Sequence, residues 1–285
     1  MRFAAVLLLV ACATTALAQE SGYKYFAETE HLRFAWDDTV ASGEGIEVMK
    51  RDGEKYYAAI KKMLVEVDNK KITVLLEGPA ERPDGSWGYP RVDSFGRVHL
   101  YRFGPTWHDY QGAFAHEMVH AMRFWRMPHY DWFFEEGLAE FISLRIDESL
   151  RGFPWYGYPV DLVAGQWIVR NEAILLKVVK EEHKRVNLPC KAQTYSMRSA
   201  FFDYLGRQYG DHAILDMARQ DRAGLYEDYQ KYLGNLVQPL AIEWRAAVMD
   251  SYAKIPNADS LATVYRTQTP IQYMPVCDLN GDVLR

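Results

Sequence analysis

The chain has 285 residues, a formal net charge of −5 and a hydrophobic content of 49%, which suits a globular protein with a sizeable core. No cluster of Lys and Arg stands out, so nucleic acid and anionic membrane surfaces are excluded as expected partners. Nothing beyond the first residues is apolar for long enough to suggest a membrane span.

Residues 1–18 read as a secretory signal. Met1-Arg2 is a minimal charged start, Phe3 to Val10 is an apolar run, and Ala16-Leu17-Ala18 is an A-x-A cleavage pattern before Gln19. Its removal predicts a periplasmic or secreted protein. Leu9-Val10-Ala11-Cys12 offers the alternative of a lipoprotein anchored at Cys12. Cys190 and Cys277 then remain, and an oxidising compartment suggests one disulfide between them, two separate thiols being the alternative.

Lys24 to Ala35 alternates as a strand would, most clearly over His31 to Ala35. Gly43-Glu44-Gly45 opens a helical stretch from Ile46 to Val67, with Ile46, Met49, Tyr56, Ile60 and Leu64 among its apolar face. Lys71 to Leu76 is a β-branched strand. Glu77 to Asp93 is rich in Pro and Gly and reads as loop. Gly96 to Tyr101 alternates again. Gly104-Pro105-Thr106 is a breaker followed by an N-cap candidate, with Asp109 placed as in a variant capping box. A helix then runs from about Trp107 to Arg126, where Pro128 ends it.

Near the middle of that helix lies His116-Glu117-Met118-Val119-His120, the pattern H-E-x-x-H. Residues four apart share a helix face, so both imidazoles can reach one zinc at about 2.0–2.1 Å. Glu117 is rotated by about 100° from His116, beside the metal's open position. It is the candidate base for a bound water. Catalytic zinc usually has three protein ligands, so one more is required. The next segment, Trp132 to Phe141, reads as a second helix entered after a connection of about five residues, which makes the two helices neighbours. It carries Glu135, Glu136 and Glu140.

These residues resemble the gluzincins, zinc peptidases whose third ligand is a glutamate. The likeness rests on H-E-x-x-H followed by Glu136-Gly137-Leu138-Ala139, and it is closest to the peptidase MA-like domains. The resemblance implies an α+β, zincin-like fold, with a small N-terminal β-sheet, an active-site helix and a mainly helical second half. It implies Zn2+ held by His116, His120 and Glu136. Glu140, one turn on, resembles the carboxylate that orients a ligand histidine. Glu135 does not directly precede the glycine and reads as a solvated position. Tyr195, opening Thr194-Tyr195-Ser196-Met197-Arg198, resembles the oxyanion-stabilising tyrosine of zinc aminopeptidases, although Met197 and Arg198 stand where that motif has Lys and Gly. Tyr204 and Tyr209 are alternatives on the same helix.

The expected activity is zinc-dependent peptide hydrolysis, with Glu117 as general base and a peptide or protein as substrate. The aminopeptidase G-x-M-E-N motif is not found, and Gly96 to Tyr101 has no acidic residue to hold a free amine, so an endopeptidase is favoured. That strand is expected to be an edge able to pair with extended substrate. The alternative is a zinc-binding, partner-binding module of the same fold without activity. His31, His99, His108, His129, His183 and His212 lack ligand spacing and are expected at the surface or in hydrogen bonds. Trp107, Trp132, Phe133, Phe134 and Trp155 are expected in the core.

After Arg151 to Val163, helical spacing runs from Asp161 or Val163 to about Val186. Leu188-Pro189-Cys190 breaks it. Further helices are expected at about Thr194 to Gln208, Asp211 to Gln220, Leu225 to Leu233 and Pro239 to Tyr252. The domain would thus span 19–252, mainly sheet over 19–105 and mainly helix over 106–252. Residues 253–285 would be a tail of little periodicity.

Overall fold

The computed structural model describes residues 22–37, 43–64, 71–79, 90–102, 111–123, 132–147, 155–170, 191–219, 225–269, 276–277 and 283–284. The signal segment with Cys12, the Thr106 and Asp109 cap, Trp107, His108, His129, His183 and Cys190 lie outside them, as do the Trp132 and Phe133 side chains. The Cys190–Cys277 pairing therefore also falls outside the description. Among the described residues, no helix is long and apolar enough to cross a membrane. The architecture is mixed α+β, with the sheet in the N-terminal part. The chain divides into two compact units, 1–59 with 67–125, and 60–66 with 126–285.

The first unit is built on a five-stranded sheet. Its strands are β1 Tyr25–Glu28, β2 Leu32–Trp36, β3 Ile72–Pro79, β4 Arg91–Val92 and β5 Val98–Arg102, in the order β1-β2-β3-β5-β4. β2, β3 and β5 run parallel, and the outer strands β1 and β4 pair antiparallel. Helix α1, Gly43–Leu64, connects the parallel strands β2 and β3, as such a pair requires. Helix α2, Gln111–Arg123, packs against β5 and β4.

Two expectations for the sheet are corrected. Lys24 to Ala35 is a hairpin rather than one strand. Thr29 turns the chain: its backbone N–H donates to the Leu32 carbonyl at 2.9 Å, and the Leu32 N–H donates to Thr29 Oγ1 at 3.0 Å. Nor is β5 an edge over Val98 and His99, because β4 pairs there, with Arg91 opposite His99 and Val92 opposite Val98.

Packing between α1, α2 and the sheet depends on Gly53. A Cβ there would meet Leu32 Cδ1 at 2.5 Å and the Phe114 ring at 3.1 Å. Phe114 meets Phe34 and Tyr56 edge to face, with centroids 6.2 and 5.9 Å away. Gln111 Nε2 donates to the buried Asp52 at 3.0 Å, joining the start of α2 to α1. The helix that carries H-E-x-x-H is thus fixed by apolar contact along its length and a hydrogen bond at its start.

His99 is buried and hydrogen-bonded on both ring nitrogens, to Glu77 at 2.7 Å and to Asp93 at 3.0 Å. Tyr23 donates to Glu77 at 2.9 Å, and Arg97 Nε to Asp93 at 2.8 Å. Burial alone would raise the Asp93 carboxyl. Hydrogen bonds from Arg97 and His99 outweigh it and bring it from the ordinary 3.8 to about 2. A depressed folded value means stabilisation that is present above about pH 4 and lost as pH falls through about 2. Asp93→Asn should therefore destabilise the fold at neutral pH, with the deficit shrinking between about pH 4 and pH 2. Urea unfolding across that range measures it, and a pH-independent deficit would contradict this account of Asp93.

The second unit is helical. Its main helices are α3 Trp132–Ile146, α4 Val160–Val169, α5 Lys191–Tyr209, α6 Asp211–Arg219, α7 Leu225–Lys254 and α8 Ala258–Gln268. A short ladder, β6 Val276–Cys277 with β7 Val283–Leu284, follows. Two expectations are corrected here as well. Leu225 to Lys254 is one helix that contains Pro239, not two helices separated before it. Residues 258–268 are helical rather than tail, with Ala262 and Tyr265 buried.

Gly137 of α3 lies on the Phe202 ring of α5, and Gly206 of α5 lies on the Phe141 ring of α3. The order 137 to 141 matches 202 to 206, so these two helices run parallel. Farther along, Arg145 joins Asp203 at 2.7 Å and Asp211 at 3.0 Å. Burial would lower the Arg145 guanidinium, and these two carboxylates raise it instead.

Candidate metal centre

Helix α2 is buried from Phe114 through Met122, including His116, Glu117 and His120. Helix α3 is buried from Phe134 through Leu144, including Glu135, Glu136 and Glu140. Ionisable groups are rarely buried unless they are paired, hydrogen-bonded or bound to a metal. Their concentration in two otherwise apolar helices therefore has to be answered by specific partners.

His116 and His120 direct their Nε2 atoms at each other, 3.1 Å apart, with rings inclined at 77°. Two imidazoles ligating one tetrahedral zinc at 2.0–2.1 Å would have nitrogens roughly 3.3 Å apart. The i, i+4 spacing thus places two imidazole nitrogens at near-coordination separation. His116, His120 and Glu136 form a buried group whose ligand atoms all lie within 4.8 Å of one another, a group able to hold a metal ion. Two nitrogens and one carboxylate oxygen suit zinc by donor type.

Glu117 follows His116 on α2 and is 8% exposed, so its carboxylate is largely screened from bulk water. Glu140 is buried too, and its Oε2 accepts the Trp155 indole N–H at 3.2 Å. Glu135 is corrected: it is not solvated but 1% exposed, less than Glu136 at 4%. A helix buried all round has no solvent face for it.

Tyr195 is half-buried on α5, seven residues before Phe202, hence about 10 Å along the helix from the level of Gly137. The Arg198 guanidinium lies 5.7 Å from its ring centroid. Arg198 itself is buried, and no local pattern marks it so. Tyr204 is buried and Tyr209 exposed on the same helix. Of the expected core aromatics, Phe134 and Trp155 are buried. His31 hydrogen-bonds Glu54 at 2.7 Å and His212 is exposed, as non-ligands would be.

Helical spacing pointed to His116 and His120, and the family resemblance to Glu136, the three residues the structure brings together. Neither pointed to the donor to Glu140, because Trp155 is fifteen residues away and belongs to no helical pattern. In comparisons with known proteins, no family model and no curated protein matches this chain.

Proposed function

We propose that the protein is a zinc metallopeptidase with a zincin-like arrangement of sheet and active-site helix, acting as an endopeptidase outside the cytoplasm. The observation that carries this reading is the buried group of His116, His120 and Glu136, with Glu117 on the same helix as the two histidines. His116, His120 and Glu136 would hold the ion. When bound, zinc supplies a Lewis acid that makes water easier to deprotonate and polarises a carbonyl.

The rest of the chemistry belongs to the chain. Glu117 accepts a proton from the attacking water, then donates it to the leaving amine as the C–N bond breaks. Its burial keeps that proton from exchanging freely with bulk water. Tyr195 is the candidate donor to the developing oxyanion. The endopeptidase preference rests on the missing amine-binding acid. Among the described residues, the two carboxylates bonded to His99 of β5, Glu77 and Asp93, are also engaged by Tyr23 and Arg97. Because β4 covers Val98 and His99, substrate cannot pair there.

Incubating the purified mature protein with a peptide library, with and without a chelator, tests the reading. Internal cleavage that a chelator abolishes and zinc restores is expected. Zinc content without cleavage of any peptide would favour the inactive binding module.

A further inference from the structure

Glu140 lies one turn after Glu136 on α3, and residues four apart share a helix face. Its Oε2 accepts the indole N–H of Trp155 at 3.2 Å. Both side chains are buried, Trp155 at 1% exposure. Trp155 opens a tight turn before α4, closed by the Tyr158 N–H on the Trp155 carbonyl at 3.0 Å. Within the turn, Tyr156 has φ 48 and Gly157 has φ 83. A tyrosine in the left-handed region is strained, and such strain persists only where the surroundings fix it. The turn fixes the backbone that carries Trp155, and burial of the ring restricts the indole.

The geometry points to Trp155 as a positioning residue for the metal centre, acting through Glu140. This rests on the zinc reading above, in which Glu140 orients a ligand of the ion. An indole has one N–H and no charge. It fixes one carboxylate oxygen without adding a positive charge beside the metal group. An Arg or Lys in its place would add positive charge beside the site and oppose zinc. Outer partners of this kind set ligand orientation and commonly alter metal affinity by 10–100-fold.

The test is a double-mutant cycle on zinc affinity, read by competition with a chromophoric chelator. Trp155→Phe removes the N–H and keeps most of the ring. It is expected to weaken zinc about tenfold. Glu140→Gln keeps an oxygen for the indole and should weaken zinc by a similar or larger factor. The double variant should match Glu140→Gln alone, since without the carboxylate charge the indole has no group through which to act on the ligand. A merely structural Trp155 would weaken zinc by the same factor with either residue at 140, and that result would overturn the inference. Unchanged affinity in Trp155→Phe would overturn it too. Should Trp155→Phe not fold, Glu140→Gln still decides: wild-type affinity there removes the path. A wild-type protein that binds no zinc would instead sink the zinc reading itself.

Discussion

Glu117→Gln is expected to retain its zinc and to lose peptide cleavage by about 10³- to 10⁴-fold, the upper part of what a positioned acid–base group contributes. The substitution is nearly isosteric, so packing of the buried segment Phe114 to Met122 is preserved. The amide cannot accept a proton from water or return one to the leaving amine. His116, His120 and Glu136 are untouched, so metal content should not change. Metal analysis beside single-turnover cleavage separates the two effects. Wild-type turnover in this variant would remove Glu117 from the mechanism.

Gly137→Val carries the largest expected cost in stability. A Cβ at this position would stand 2.5 Å from Phe202 Cε2 and 2.6 Å from Cδ2. Phe202 cannot easily yield, because Phe134 and Phe201 meet it edge to face at 5.6 and 6.3 Å. Overpacking of that kind costs about 3 kcal/mol, and a β-branched residue recovers little of it through helix propensity. The alternative to collapse is separation of α3 from α5, which would shift the neighbouring Glu136. Chemical unfolding together with zinc affinity reads both consequences. Unchanged stability would mean that these helices do not approach as described.

That result also bears on what the sequence conveys. Glu136-Gly137 is a local motif whose two halves have separate causes: a carboxylate gathered with His116 and His120, and a bare backbone under Phe202. The carboxylate was reached through the resemblance, which prefers Glu136 because the glycine follows it, and the packing under Phe202 was not legible. H-E-x-x-H was legible because residues four apart share a helix face. The sheet strands were mostly legible from alternation, but the polar run Glu28-Thr29-Glu30-His31 holds no Gly or Pro to mark the hairpin turn made there. β4 has only two residues among breakers, too few for a pattern. Pro239 suggested a boundary because it lacks an N–H, yet α7 continues through it. Burial of Glu135 and Arg198 was illegible, since a helix surrounded by protein carries no polar face to mark register. The Trp155–Glu140 hydrogen bond depends on a turn that folds back on α3, and no local pattern encodes it.

On the proposed function, His116, His120 and Glu136 together hold one zinc. Metal analysis of the purified wild-type protein and of His116→Ala and Glu136→Ala tests it most directly. About one equivalent is predicted in the wild type and near-complete loss in both variants, each still folded by circular dichroism. Wild-type zinc content in either folded variant, or none in the wild type, would contradict it.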